Sequence, residues 1–240
     1  GKYALISRLR SRGDLDVYRV ALDGSGEIHL TPHTPPAEFE DARFGATSDL
    51  IYLAGNPDRD RSALLRVRVR DGKAGRFEQL SWREDAELTG IALDHTRNAG
   101  YLVWNVAGRN EITHVTLDPF YQRRGPTPPA DIVNDIEFPP TGDDAALVLS
   151  GSARPMDIWI APNRQVVKQL TFSPHPGVDL DALIRPELVT YKAADGLELS
   201  GWLYKPRTGS RPYPTVFSFH GGPEGQEYHP ARKCAPPQGG

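Results

Sequence analysis

A chain of 240 residues with 38% hydrophobic content is long enough for one large domain or two modest ones with a real core. Its 28 basic and 31 acidic residues are interspersed and leave a formal charge of −3, which argues against a nucleic-acid partner or a membrane surface. The single cysteine, Cys234, excludes an internal disulfide. The first 30 residues lack a signal-like apolar segment and no run in the chain is apolar enough to span a bilayer, so the expected location is cytoplasmic. The chain opens on Gly1 and its sole methionine is Met156, so a piece of a longer polypeptide is expected.

In chain order, four segments follow one template of apolar strand, polar loop, alternating strand and turn: residues 4–24, 51–72, 102–119 and 147–163. Their closing turns begin at Asp23, Asp71, Asp118 and Pro162, at spacings of 48, 47 and 44. Short strands separate them, GEIHLT, RFEQLS and QVVKQLT, each ending in Leu-Thr or Leu-Ser; the third copy is blurred. A further strand precedes three of the copies, in FEDARFGATSD, LTGIALDHTRN and NDIEFPPTGDD. Four strands per repeat of this length predict a β-propeller blade, whose sheet buries its faces by stacking on its neighbours.

The alternation of Val67 and Val69 with Arg66, Arg68 and Arg70 predicts a strand with one wet face, not a helix and not a basic patch. Tyr18, Trp104 and Trp159 occupy repeat positions and are expected in the core or in packing between blades. The first copy lacks its leading strand, so the count is about 3.7 blades, short of a closed ring. Open sheet edges make the isolated chain prone to aggregate.

After Thr171 the period stops. The Pro/Gly-rich stretch 172–179 reads as a linker, DLDALIRPE as a short helix ending before Pro186, and 187–206 as a hairpin turning at Asp195-Gly196. Thr215 to Phe219 is an apolar run of the kind found in a central strand covered on both faces. It leads into His220-Gly221-Gly222-Pro223. Paired glycines let a bound group approach backbone amides closely, and such amides stabilise an anion. Pro223 lacks an N–H and stiffens the exit of the loop.

The blade repeats, the DG-x-x-L-x-G-W-L-Y-x-P pattern of Asp195 to Pro206, and the run from Tyr213 to Pro223 together resemble the prolyl oligopeptidase family of serine peptidases, in its acylaminoacyl-peptidase-like branch. The resemblance extends over nearly the whole chain to about Gln226; its blade part is generic to propellers, its Asp195–Pro223 part specific. It implies a mainly β chain: a partial propeller over 1–178, a linker over 179–186, the first strands of an α/β-hydrolase domain over 187–227, and an atypical tail over 228–240. It implies that Gly221 and Gly222 belong to the oxyanion hole, with the Gly222 N–H the donor, that His220 and Pro223 support the loop, and that the substrates are short peptides. The chain departs from the family in having no G-x-S-x-G elbow, so the nucleophile and the Asp and His that follow it are missing and this polypeptide is expected to be inactive. No cofactor is called for, and the seven histidines show no metal-ligand spacing. Two other readings remain open: a non-catalytic propeller that binds a protein or peptide, and an HGG-type esterase with an unusual N-terminal domain.

Overall fold

The structure, a computed structural model, describes residues 1–162, 167–210, 212–221 and 226. The first blade is three-stranded: β1 (Tyr3–Ser11), β2 (Asp14–Ala21) and β3 (Glu27–His29). The second holds β4 (Phe39–Phe44), β5 (Leu50–Gly55), β6 (Ala63–Arg70) and β8 (Glu78–Ser81), with β7 (Lys73–Ala74) paired to the end of β6. The third is β9 (Glu87–Leu93), β10 (Ala99–Val106), β11 (Arg109–Leu117) and β12 (Phe120–Arg124). The fourth is β13 (Ile132–Glu137), β14 (Ala145–Gly151), β15 (Arg154–Ala161) and β16 (Lys168–Gln169). A 3-10 turn, Leu180–Ala182, is capped by the Asp179 carboxylate and stands where a short helix was expected. The hairpin β17 (Glu187–Lys192) and β18 (Glu198–Leu203) follows. No helix among the described residues is long and apolar enough to cross a membrane.

Side-chain alternation along each central strand supplies two apolar faces, and three clusters weld the blades together. Val17 and Leu30 of blade one meet Phe39, Leu53, Leu65 and Val67 of blade two. On the opposite face of blade two, Tyr52 and Leu64 meet Leu102, Trp104 and Leu117 of blade three. Tyr101, Val103 and Ile112 of blade three then meet Leu147, Leu149 and Trp159 of blade four. Tyr18, Trp104 and Trp159 are all buried, as their repeat positions predict. Ladder spacing leaves no room for a side chain at Gly100, where a Cβ would lie 2.0 Å from the Ala92 carbonyl oxygen.

The arginine row of β6 departs from expectation. Arg70 is exposed, but Arg66 is buried between blades two and three. Glu78 receives hydrogen bonds from Arg66 Nε at 2.9 Å and Nη2 at 2.5 Å, and Asp118 of blade three lies 4.0 Å away. Alternation places Arg66 on the face that the next blade covers; the paired carboxylates make its burial tolerable.

Blades one and four share a polar clasp. The Val17 N–H donates to Thr31 Oγ1 at 2.9 Å, and the Thr31 hydroxyl donates to Asp16 Oδ1 at 3.0 Å. In blade four the Ile158 N–H donates to Thr171 Oγ1 at 2.9 Å, and the Thr171 hydroxyl donates to Asp157 Oδ1 at 2.8 Å. Val17 and Ile158 are therefore equivalent positions. Val17 is 0% exposed, in the cluster shared with blade two, whereas Ile158 is 40% exposed and belongs to none of the three clusters. Burial works to push the Asp16 carboxyl up, but hydrogen bonds from His29 and Thr31 and the charges of His29 and Arg10 outweigh it and hold Asp16 below the usual carboxylate range.

Candidate active site

The segment with the candidate chemistry begins at the hairpin. Gly196 takes a positive φ of 87° at the turn, the Leu197 N–H donates to Asp195 Oδ1 at 3.0 Å, and Lys205 meets Glu187 at 2.6 Å across the open end. The register runs without a slip from Glu187 opposite Leu203 to Lys192 opposite Glu198.

Beyond the hairpin the structure corrects the sequence reading. Thr215 to Phe219 is not hydrogen-bonded into any sheet, and Val216, Phe217 and Phe219 are 92%, 78% and 84% exposed. A buried central strand needs a neighbour on each edge and a layer on each face; among the described residues β17 and β18 pair only with each other, so the run has none of these. The Phe217 and Phe219 rings lie nearly parallel at 6.4 Å.

His220 follows, and its Nδ1–H donates to the Gly221 carbonyl at 3.0 Å, a local bond that holds the ring beside the glycine. A Cβ at Gly221 would meet nothing within 4 Å, so the fold gives no steric reason for glycine there. Gly222 and Pro223, the expected oxyanion donor and loop support, lie outside the described residues, as does Cys234.

Contacts between the described part of the segment and the propeller include two that no motif announced. Gln226 Oε1 accepts a hydrogen bond from Asn105 Nδ2 at 2.6 Å; the Asn105 Oδ1 accepts the Gly108 N–H at 2.9 Å, which fixes the orientation of the amide. The Arg109 guanidinium stands 5.5 Å from the centre of the Trp202 ring on β18. Both propeller partners flank the tight β10–β11 turn. Because strands alternate in direction, that turn and the connections β8–β9 and β12–β13 emerge at one end of the blades.

The leading strands β4 and β9 carry acids. Burial pushes the Glu40 carboxyl up, and Glu38, Glu87 and Asp41 add to it. Burial likewise raises Asp41, with Asp135 of β13 adding, against Arg43 and the Ile91 N–H that Asp41 accepts. Among the described residues no group of three or more histidine, cysteine or acidic side chains could hold a metal ion.

No protein-family profile matches the chain. An uncharacterized peptidase, YuxL, of Bacillus subtilis (strain 168) is 28% identical over 95 residues, which cover 39% of this chain and 14% of that protein. Prolyl oligopeptidase B from Galerina marginata, bound to a 35mer hydrolysis and macrocyclization substrate, superimposes with a TM-score of 0.68 at 16% identity, over 83% of this chain and 29% of that one. A puromycin hydrolase superimposes with a TM-score of 0.65 at 16% identity, over 89% and 34%. A puromycin-hydrolyzing peptidase of Mycobacterium tuberculosis does so with a TM-score of 0.66 at 10% identity, over 85% and 33%. The fold matches the β-propeller region of prolyl oligopeptidases. The resemblance therefore holds for the β-propeller architecture, and the chain spans about a third of the chains it matches.

Proposed function

We propose that this chain is part of a serine peptidase of the prolyl oligopeptidase type that hydrolyses short peptides by acyl transfer, and that the 240 residues alone are inactive. In this reading residues 1–178 are propeller, 179–186 linker, 187–227 the opening of the hydrolase domain and 228–240 an atypical tail. The observation that carries it is the joining, in one chain, of a peptidase-like propeller fold to a His-Gly-Gly-Pro segment whose far end is bonded to the propeller through Asn105 and Gln226. The empty space beside Gly221 fits the same reading: glycine is used there to let a reacting group approach the backbone, not to relieve a clash.

The Gly222 N–H donates to the oxygen on which charge develops in the tetrahedral intermediate, with Gly221 shaping the loop and His220 and Pro223 supporting it. No cofactor enters such a reaction. A fluorophosphonate probe tests the inactive half of the proposal: no label is expected on this chain, and a labelled serine refutes it. The peptidase half is tested on the polypeptide that continues this chain into a serine elbow, using N-acyl tripeptide anilides. Replacing Gly222 by Val is expected to lower kcat by about 10² to 10³; an unchanged kcat removes the oxyanion assignment.

A further inference from the structure

At the end of the blades where Asn105 meets Gln226 lies a cavity of about 640 Å³, walled by the β8–β9 connection, the β10–β11 turn and the loop after β12. Its charged lining is Arg83, Arg109, Arg124, Glu111 and Asp131. A second cavity of about 280 Å³ shares Arg83 and Arg124 with it and adds Arg123 and Trp104.

The arginines are unequally committed. Arg83 is spent: Asp85 takes its Nε and Nη2 at 2.9 and 2.8 Å, and Glu111 takes its Nη1 at 2.6 Å. Arg109 is half committed, with Asp131 3.7 Å from its Nε and its cation against Trp202. Arg124 has a single weak hydrogen bond, 3.5 Å to Thr127 Oγ1, and no carboxylate partner among the described residues; Arg123 beside it has no ion pair there either. A guanidinium presents a planar fork that matches a carboxylate in two parallel hydrogen bonds. Pro126, Pro128 and Ile112 supply apolar wall, and the volume falls in the range of small-molecule sites.

We infer that this cavity binds the C-terminal carboxylate of a short peptide, with Arg124 as the anchor and Arg109 as the second cation. The choice of a peptide rests on the peptidase reading above and on the position of the cavity beside the residue that tethers the His-Gly-Gly-Pro segment. A peptide held by its carboxylate here lies at the end of the blades that Gln226 meets, three residues beyond the proposed oxyanion loop in the chain, so the site selects for a free C-terminus.

The test uses the 240-residue chain and needs no turnover. Binding of trialanine, trialanine amide and inorganic phosphate is measured by calorimetry and by the fluorescence of the tryptophans. Trp104 has Arg83 6.0 Å from its ring centre, and Trp202 carries Arg109. The free acid is expected to bind at least about tenfold more tightly than the amide, the ratio that a charge-assisted fork supplies. Arg124→Gln is expected to erase the ratio, and raised salt to weaken the acid but not the amide; the salt series needs no variant, so it decides the question even if Arg124→Gln fails to fold. Equal binding of acid and amide, no binding of either, or a ratio that survives both Arg124→Gln and salt overturns the inference. Phosphate that competes as well as the free acid makes this a general anion site and overturns the peptide assignment. Because no bond is broken, a negative result leaves the peptidase proposal standing, and an inactive longer polypeptide leaves a positive binding result standing.

Discussion

The run Tyr101 to Val106 in blade three and the run Thr215 to Phe219 before the glycine pair draw on the same aromatic and β-branched residues, yet the first has its core positions buried and the second is open to solvent. β10 has β9 and β11 on its edges and blades two and four against its faces. The later run has no ladder partner among the described residues. Apolar composition makes a segment fit for burial, and only neighbours bury it. The difference also bears on chemistry, since residues held in a ladder are positioned, whereas the later segment meets the propeller through the side-chain bond of Gln226 and the approach of Arg109 to the Trp202 ring.

Seven substitutions, grouped in four tests, can break or sharpen this contrast. The largest effect is expected from Gly100→Ala, whose Cβ collides with the Ala92 carbonyl and forces β9 off β10. A loss above about 4 kcal/mol in urea unfolding is expected, against no measurable loss for Gly221→Ala. Comparable losses at both glycines would mean that Gly221 is structurally constrained after all. Next comes Leu102→Ala, which opens a cavity in the cluster between blades two and three and is expected to cost about 3 kcal/mol, while Val216→Ala changes stability by less than about 0.5 kcal/mol. A large loss at Val216 would show that its segment is covered in solution.

The clasps extend the comparison within the propeller. Thr31→Val removes the acceptor of the Val17 N–H and a donor to buried Asp16, and about 1–3 kcal/mol is expected. Thr171→Val, on the open face of blade four, is expected to cost less than about 1 kcal/mol, since water replaces the lost bonds. The held-down carboxyl of Asp16 adds a pH signature. Stability from it is present above its unfolded pKa and is lost as pH falls through the lower folded value, so the gap between wild type and Thr31→Val should narrow in acid.

The smallest effect is of opposite sign. Glu40 has a raised pKa, so its folded form holds a proton longer and stability falls as pH rises through the window from the unfolded to the folded value. Glu40→Gln is expected to raise Tm slightly at pH 7, by the equivalent of a few tenths of a kcal/mol because water still reaches the residue and screens the partly desolvated carboxylate, and to change nothing below that window. A lower Tm at pH 7 would mean that the carboxylate has a stabilising partner.

Much of the propeller was legible residue by residue. The four-strand period located β4, β9 and β13 ahead of their copies and showed the missing strand of the first, because a period of two along a strand and a turn at each end are local signals. The clasps were not read from the sequence, although Asp-Val-Tyr before Leu-Thr and Asp-Ile-Trp before Leu-Thr both occur in the chain; the hydrogen bonds that join them emerge only in the structure. The burial of Arg66 was not legible, because Asp118 comes from the next blade, 52 residues on in the sequence. Nor were the Asn105–Gln226 and Arg109–Trp202 contacts, which join positions far apart in the chain with no periodicity to announce them.

By itself, then, the amino-acid order determined where strands start and turn, which of their faces are apolar, and that a paired glycine follows an apolar run; these depend on each residue and its near neighbours. Which apolar faces are covered, which arginines are spent on carboxylates and which are left open, and which turn of the propeller Trp202 and Gln226 meet were decided only in three dimensions. Those properties belong to pairs of surfaces, and a surface acquires its partner only when the chain folds back on itself.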